Sequence, residues 1–172
     1  MDEQMTVEQF VVWESMQPLR HEYHRGDIVT IVGGRMGDST VKFNVVAALR
    51  RVMNGMPCRV VAGVLLHVND HAAYYPDAMV VCGDLAAAAA RTCTNEAKLV
   101  VEVLSPSTAA FDRGEKVKMY LQMPSLSAYL MVHPDERTVW IVERGVDQWH
   151  VRELALPPVF VALRSRAQGL AS

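Results

Sequence analysis

Three cysteines are too few and too scattered to organise this chain. Cys58, Cys82 and Cys93 are odd in number, widely spaced and form no CxxC. That excludes a disulfide-dense secreted scaffold and a thiolate zinc site. Cys58 and Cys82 sit in or beside apolar runs, which predicts buried free thiols. No apolar run approaches the roughly 20 residues needed to cross a bilayer, so no membrane role is expected. The first nine residues carry acids and no apolar leader segment, which makes the cytoplasm the expected compartment. Charge of one sign is also missing, because the net charge is only −2. A protein that grips DNA mainly through phosphates is usually basic. Any nucleic-acid contact here therefore needs a local basic patch, or metal ions that offset the acids.

Signature loops are equally scarce. Gly33-Gly34-Arg35-Met36-Gly37 lacks both the Gly-Lys-Ser/Thr of a P-loop and GxGxxG spacing, and reads as a turn. The pairs His21/His24 and His67/His71 have no nearby third His or Cys, short of what zinc requires. Ser105 and Ser107 lack a GxSxG elbow. Trp13, Trp140 and Trp149 form no spaced stripe for base stacking.

What is present fits one α/β domain over residues 1–172, with the tail from about Arg164 to Ser172 expected to fray. Thr6-Val7-Glu8-Gln9 reads as a capping box opening a helix through about Met16. A turn at Arg25-Gly26 precedes a strand over Ile28 to Val32. Asp38 or Ser39 is placed to cap a helix over Thr40–Asn54, which Gly55 and Pro57 end. Arg59–Val68 is apolar on both faces and is expected to be a central strand. Ala78–Cys82 and Leu99–Leu104 are expected as its neighbours in one mixed sheet. Leu85–Arg91 and Thr108–Met123 read as helices. Ala128–Val132, Thr138–Glu143 and Gln148–Leu154 read as strands, the last two forming a hairpin.

Two acids stand out against this pattern. Asp77, in Tyr74-Tyr75-Pro76-Asp77, opens a short apolar strand. Glu102 lies inside Leu99-Val100-Val101-Glu102-Val103-Leu104, otherwise wholly apolar. A carboxylate there is costly unless it is paired, hydrogen-bonded or bound to metal. If the two strands pair, Asp77, Glu102 and the Val103 carbonyl form the hard oxygen shell that Mg²⁺ or Mn²⁺ prefers. The residues alone leave a structural ion pair for Glu102 equally open.

Several motifs carry a resemblance. They are Tyr75-Pro76-Asp77 before a strand, Val101-Glu102-Val103-Leu104-Ser105-Pro106-Ser107-Thr108, and Asp112-Arg113-Gly114-Glu115-Lys116 followed by Tyr120. Pro124-Ser125-Leu126-Ser127-Ala128-Tyr129-Leu130-Met131-Val132-His133-Pro134 completes them. From about Phe10 to about Leu154 the chain resembles the Uma-type endonuclease family of bacterial proteins, a branch of the PD-(D/E)XK nuclease superfamily. The resemblance implies a restriction-endonuclease-like mixed β-sheet flanked by helices. It also implies metal-dependent hydrolysis of DNA phosphodiesters, with Asp77 and Glu102 as Mg²⁺ or Mn²⁺ ligands. The superfamily lysine two residues after the glutamate is Leu104 here, and the resemblance points to Lys116 on the next helix instead. The family's early Gly-Glu corresponds to Gly26-Asp27, making Asp27 a further candidate ligand. Where the family commonly has histidine at a helix start, this chain has Asp38.

A second function class stays open beside the nuclease: a nuclease-fold module that binds nucleic acid or protein without catalysis, as a homodimer. The helical wheel separates the two nearby lysines. Lys116 stacks with Asp112 and Tyr120 beside the buried stripe, whereas Lys118 falls with Glu115 on the opposite flank. Lys116→Ala is thus expected to abolish metal-dependent cleavage with little effect on folding, and Lys118→Ala to leave most activity.

Overall fold

The computed structural model describes residues 4–84, 86 and 89–155. Helix α1 (Val7–Glu14) starts where the capping box puts it. The Gln9 N–H donates to Thr6 Oγ1 at 3.3 Å and the Thr6 N–H donates to Gln9 Oε1 at 2.8 Å. Strands β1 (His21–His24) and β2 (Asp27–Thr30) form a hairpin across Arg25-Gly26. Both turn residues have positive φ, 51° and 96°, as a tight two-residue hairpin turn requires. Helix α2 (Met36–Val52) begins earlier than its apolar periodicity suggests. Asp38 therefore lies inside the first turn rather than capping it, and Arg35 clamps both its oxygens at 2.9 Å.

The segment expected as one central strand is two strands in two sheets. Gly63, at φ +72°, breaks the run between β3 (Cys58–Val61) and β4 (Leu65–Asn69). A left-handed glycine at that point redirects the chain from one sheet to the other, and apolarity on both faces could not reveal it. β3 is the edge of a six-stranded sheet, not its centre. The order is β11 (Trp149–Ala155), β10 (Thr138–Arg144), β9 (Ala128–His133), β8 (Leu99–Val103), β6 (Ala78–Cys82), β3. β4 is interior to a five-stranded sheet ordered β2, β1, β5 (Ala72–Tyr74), β4, β7 (Cys93–Thr94). Each sheet is mixed, with β8–β9 and β4–β7 parallel. The expected adjacency of β3, β6 and β8 holds.

The cysteine expectation is also corrected. Antiparallel pairing of β3 and β6 sets Cys58 opposite Cys82, and the two form a disulfide with Cα atoms 4.0 Å apart. Both are half-buried, and Cys93 remains a free thiol. Parity and spacing carried no information about strand register, which alone brings these thiols together.

Alternation along β8 decides which layer each residue meets. Val101 and Val103 pack with Val41 and Val45 of α2, together with Ala78 and Val132. Val100 faces the opposite layer, where Leu66, Tyr74, Met119, Tyr120 and Tyr129 form the larger core. Glu102 shares that second face, because successive strand side chains point to opposite sides. The helix expected over Thr108–Met123 is three pieces: α3 (Ala109–Phe111), a π-helical turn over Asp112–Lys116, and α4 (Val117–Tyr120). Among the described residues no helix is long and apolar enough to cross a membrane. The alanine-rich run 85–91 falls in part outside the described residues, and the chain beyond 155 falls wholly outside them.

Candidate metal and active site

The β6–β8 register pairs Ala78 with Val101, so one step further along Asp77 comes opposite Glu102. The Val103 N–H, freed there from the ladder, donates to Asp77 Oδ2 at 2.7 Å. Asp77 Oδ1 pairs with Lys42 Nζ of α2 at 2.5 Å. Glu102 is 4% exposed, and its Oε1 accepts from Lys116 Nζ at 3.2 Å and Tyr120 Oη at 2.9 Å. All of these except Tyr120 line a cleft of about 330 Å³, with Asp38, Ser105 and Thr108 on its walls.

The π-helical turn positions the lysine. It puts Asp112 and Lys116, both buried, on the side of the helical run that faces β8. Such wide turns recur at functional sites, and this one keeps both side chains on the face that an α-helical wheel gives them. Lys116 Nζ lies 3.0 Å from Glu22 of β1, 3.2 Å from Glu102 and 3.5 Å from Asp112. Glu22 is itself held by the Tyr75 N–H at 3.0 Å. One ammonium thus sits among three carboxylates contributed by both sheets and the helical run.

Burial sets the electrostatics. It pushes the Glu102 carboxyl from its ordinary 4.5 up to about 8, against Lys116 and with help from Asp77, Asp112 and Glu22. Burial also raises Asp112, despite Lys116. Lys116 itself rises well above its ordinary range; burial opposes this, but the Glu102, Glu22 and Asp112 charges outweigh it. Asp112 Oδ1 is buried without a hydrogen bond, its nearest cation being Lys116 at 3.5 Å. This donor set of hard, acidic oxygens with one underused buried atom fits a divalent cation of the Mg²⁺ or Mn²⁺ kind.

Of the residues singled out from the sequence, Asp77, Glu102, Val103 and Lys116 come together. Asp27 does not: it is exposed at the start of β2, pairs across the hairpin with His24 and does not line the cleft. The acid on that hairpin that does reach the site is Glu22. Sequence reasoning missed it because His21-Glu22-Tyr23-His24 has no β-branched residue to announce a strand. The turn at Arg25-Gly26 was the usable signal, since a hairpin implies a strand on both sides. Lys42 was missed as an ordinary solvated position of an amphipathic helix. Lys118 pairs with Glu115 at 2.6 Å on the exposed flank, as the wheel predicts. A separate grouping, exposed at Glu8 and Asp70 and half-buried at His67, brings ligand atoms of the three within 4.8 Å of one another and shares no residue with the cleft.

Known proteins place this architecture. A crystal structure described as a putative nuclease belonging to DUF820, from Anabaena variabilis, shares the fold with a TM-score of 0.67. The match covers 92% of each chain at 18% identity. An uncharacterized protein of Synechocystis sp. is 33% identical over 130 residues, 74% of this chain and 68% of that protein. A second from the same organism is 27% identical over 158 residues, 87% of each. The Uma2 family, described as "Putative restriction endonuclease", matches residues 7–170, and the chain belongs to that family.

Proposed function

We propose that the protein is a Mg²⁺- or Mn²⁺-dependent DNA endonuclease, with the cleft between Asp77 and Glu102 as its active site. One observation carries the reading. Glu102, alone among apolar neighbours in β8, faces Asp77 across the register with the Lys116 ammonium 3.2 Å away. Membership of the Uma2 family supports it.

Asp77, Glu102 and the Val103 carbonyl would hold the ion. When bound, it supplies a Lewis acid that polarises the phosphate and lowers the pKa of water. The chain's own residues do the rest. The Val103 N–H fixes Asp77 Oδ2, which leaves Oδ1 turned to the cleft. Tyr120 and Lys116 orient Glu102 through its Oε1. Lys116, braced by Glu22 and Asp112, holds a fixed positive charge where an attacking oxygen and the scissile phosphate gather negative charge. Incubating supercoiled and single-stranded DNA with the protein tests the reading: Mg²⁺ or Mn²⁺ gives nicked, linear or shortened products, and EDTA gives none.

The raised Glu102 carboxyl makes a separate prediction. Between pH 4.5 and about 8 the folded, metal-free protein holds this proton more tightly than the unfolded chain does. Folding then takes up a proton across that window, so this group's contribution to stability falls as pH rises from 4.5 to about 8. A cation must expel the same proton. Apparent Mn²⁺ affinity should therefore rise about tenfold per pH unit up to the Glu102 pKa and level off above it. Calorimetric titration between pH 6 and 9 checks this, and a pH-independent affinity would contradict it.

A further inference from the structure

We propose that Lys42 is an exchangeable cation of this cleft: it holds Asp77 while no divalent ion is bound, and grips a phosphate of the substrate once one is. The inference rests on the reading of Asp77 as a metal ligand. Asp77 has two oxygens. Oδ2 is committed to the Val103 N–H at 2.7 Å, and Oδ1 to Lys42 Nζ at 2.5 Å. The oxygen open to a metal is thus the one Lys42 now holds. An ammonium and a divalent cation repel each other strongly at contact distance, so they cannot share it without one retreating. Lys42 is the one able to leave, because its side chain is 38% exposed and carried on a flexible four-carbon stem.

Where it goes follows from the other charges. Lys42 and Lys116 are the cationic side chains lining the cleft among the described residues. The Lys116 side chain is buried and held among three carboxylates, so it stays beside Glu102 and cannot swing out to a further phosphate. Arg35, at the start of the same helix, is clamped on Asp38. A chain of net charge −2 must present local positive charge to a polyanion. Lys42, one helical turn beyond Asp38 and released from Asp77, supplies it at the mouth of the cleft. Metal loading would then assemble the phosphate contact in the same step.

The experiment has two arms, run on wild type, K42R and the uncharged variants K42Q and K42M, the last keeping an unbranched, largely apolar stem. In the first, Mn²⁺ is titrated without nucleic acid. Both uncharged variants should bind Mn²⁺ more tightly than wild type, by up to about fivefold for a partly exposed ion pair. In the second, kcat/KM for a short DNA duplex is measured against salt. The log–log slope should become shallower by about one in K42Q and K42M and stay near wild type in K42R, as for loss of one phosphate contact. A merely structural lysine would weaken Mn²⁺ binding and leave the slope alone. Equal or weaker Mn²⁺ binding by both uncharged variants, or an unchanged slope, overturns the inference. Failure of the underlying reading looks different, because wild type itself would then show no saturable Mn²⁺ binding.

Discussion

Lys116→Ala destabilises the folded protein by about 3–5 kcal/mol at pH 8, the usual cost of stripping the counter-charge from buried carboxylates. Lys116 is only 6% exposed and Glu102 and Asp112 are buried beside it, so water cannot take its place cheaply. Removing the ammonium leaves Glu22, Glu102 and Asp112 facing one another. They then favour protonation more strongly than in wild type, and the variant binds more protons folded than unfolded over a wider range. Its stability deficit therefore grows as pH rises from 6 to 8. Urea denaturation at both pH values reads this directly. Lys118→Ala, on the exposed flank, leaves the midpoint unchanged. A Lys116→Ala variant as stable as wild type at pH 8 would show that the three-carboxylate cage does not hold the lysine. This expected loss is larger than the helical wheel implies, because the wheel places Lys116 at the edge of the buried stripe, whereas the side chain is enclosed by Glu22, Glu102 and Asp112.

Asp77→Ala has the opposite profile. Asp77 is 16% exposed at its side chain, and its loss frees Lys42 to the solvent instead of stranding a buried charge. The fold is retained. Mn²⁺ binding falls by more than about a hundredfold, beyond the 10- to 100-fold typical of residues that only support a ligand. Mn²⁺ affinity equal to wild type in a folded Asp77→Ala protein would remove Asp77 from the site while leaving the architecture intact.

The parts of the molecule legible in sequence were those where one residue broke a strong local pattern. Glu102 inside Val-rich β8 is such a break, and so is the capping box at Thr6. Helix-wheel reasoning located Lys116 although the real helix widens into a π-turn there, because that turn keeps Asp112, Lys116 and Tyr120 on one side. What stayed hidden depends on long-range pairing. Gly63 divides an apolar run between two sheets, and nothing within the run distinguishes a divided strand from a continuous one. Cys58 and Cys82 become neighbours only through β3–β6 register, and Glu22 enters the site only because β1 pairs with β5. Lys42 looks like any solvated helical lysine until Asp77 is placed opposite it.

The central claim is that the Asp77–Glu102 cleft performs metal-dependent cleavage, and one comparison tests it most directly. Wild type and Asp77→Ala are incubated side by side with supercoiled DNA in Mn²⁺, Mg²⁺ and EDTA, after both are shown to be folded. The account predicts nicked or linear product from wild type with a divalent ion, none with EDTA, and none from Asp77→Ala under any condition. Product that persists in EDTA, or that Asp77→Ala forms as readily as wild type, would contradict it, as would clean wild-type protein that cuts neither supercoiled nor single-stranded DNA.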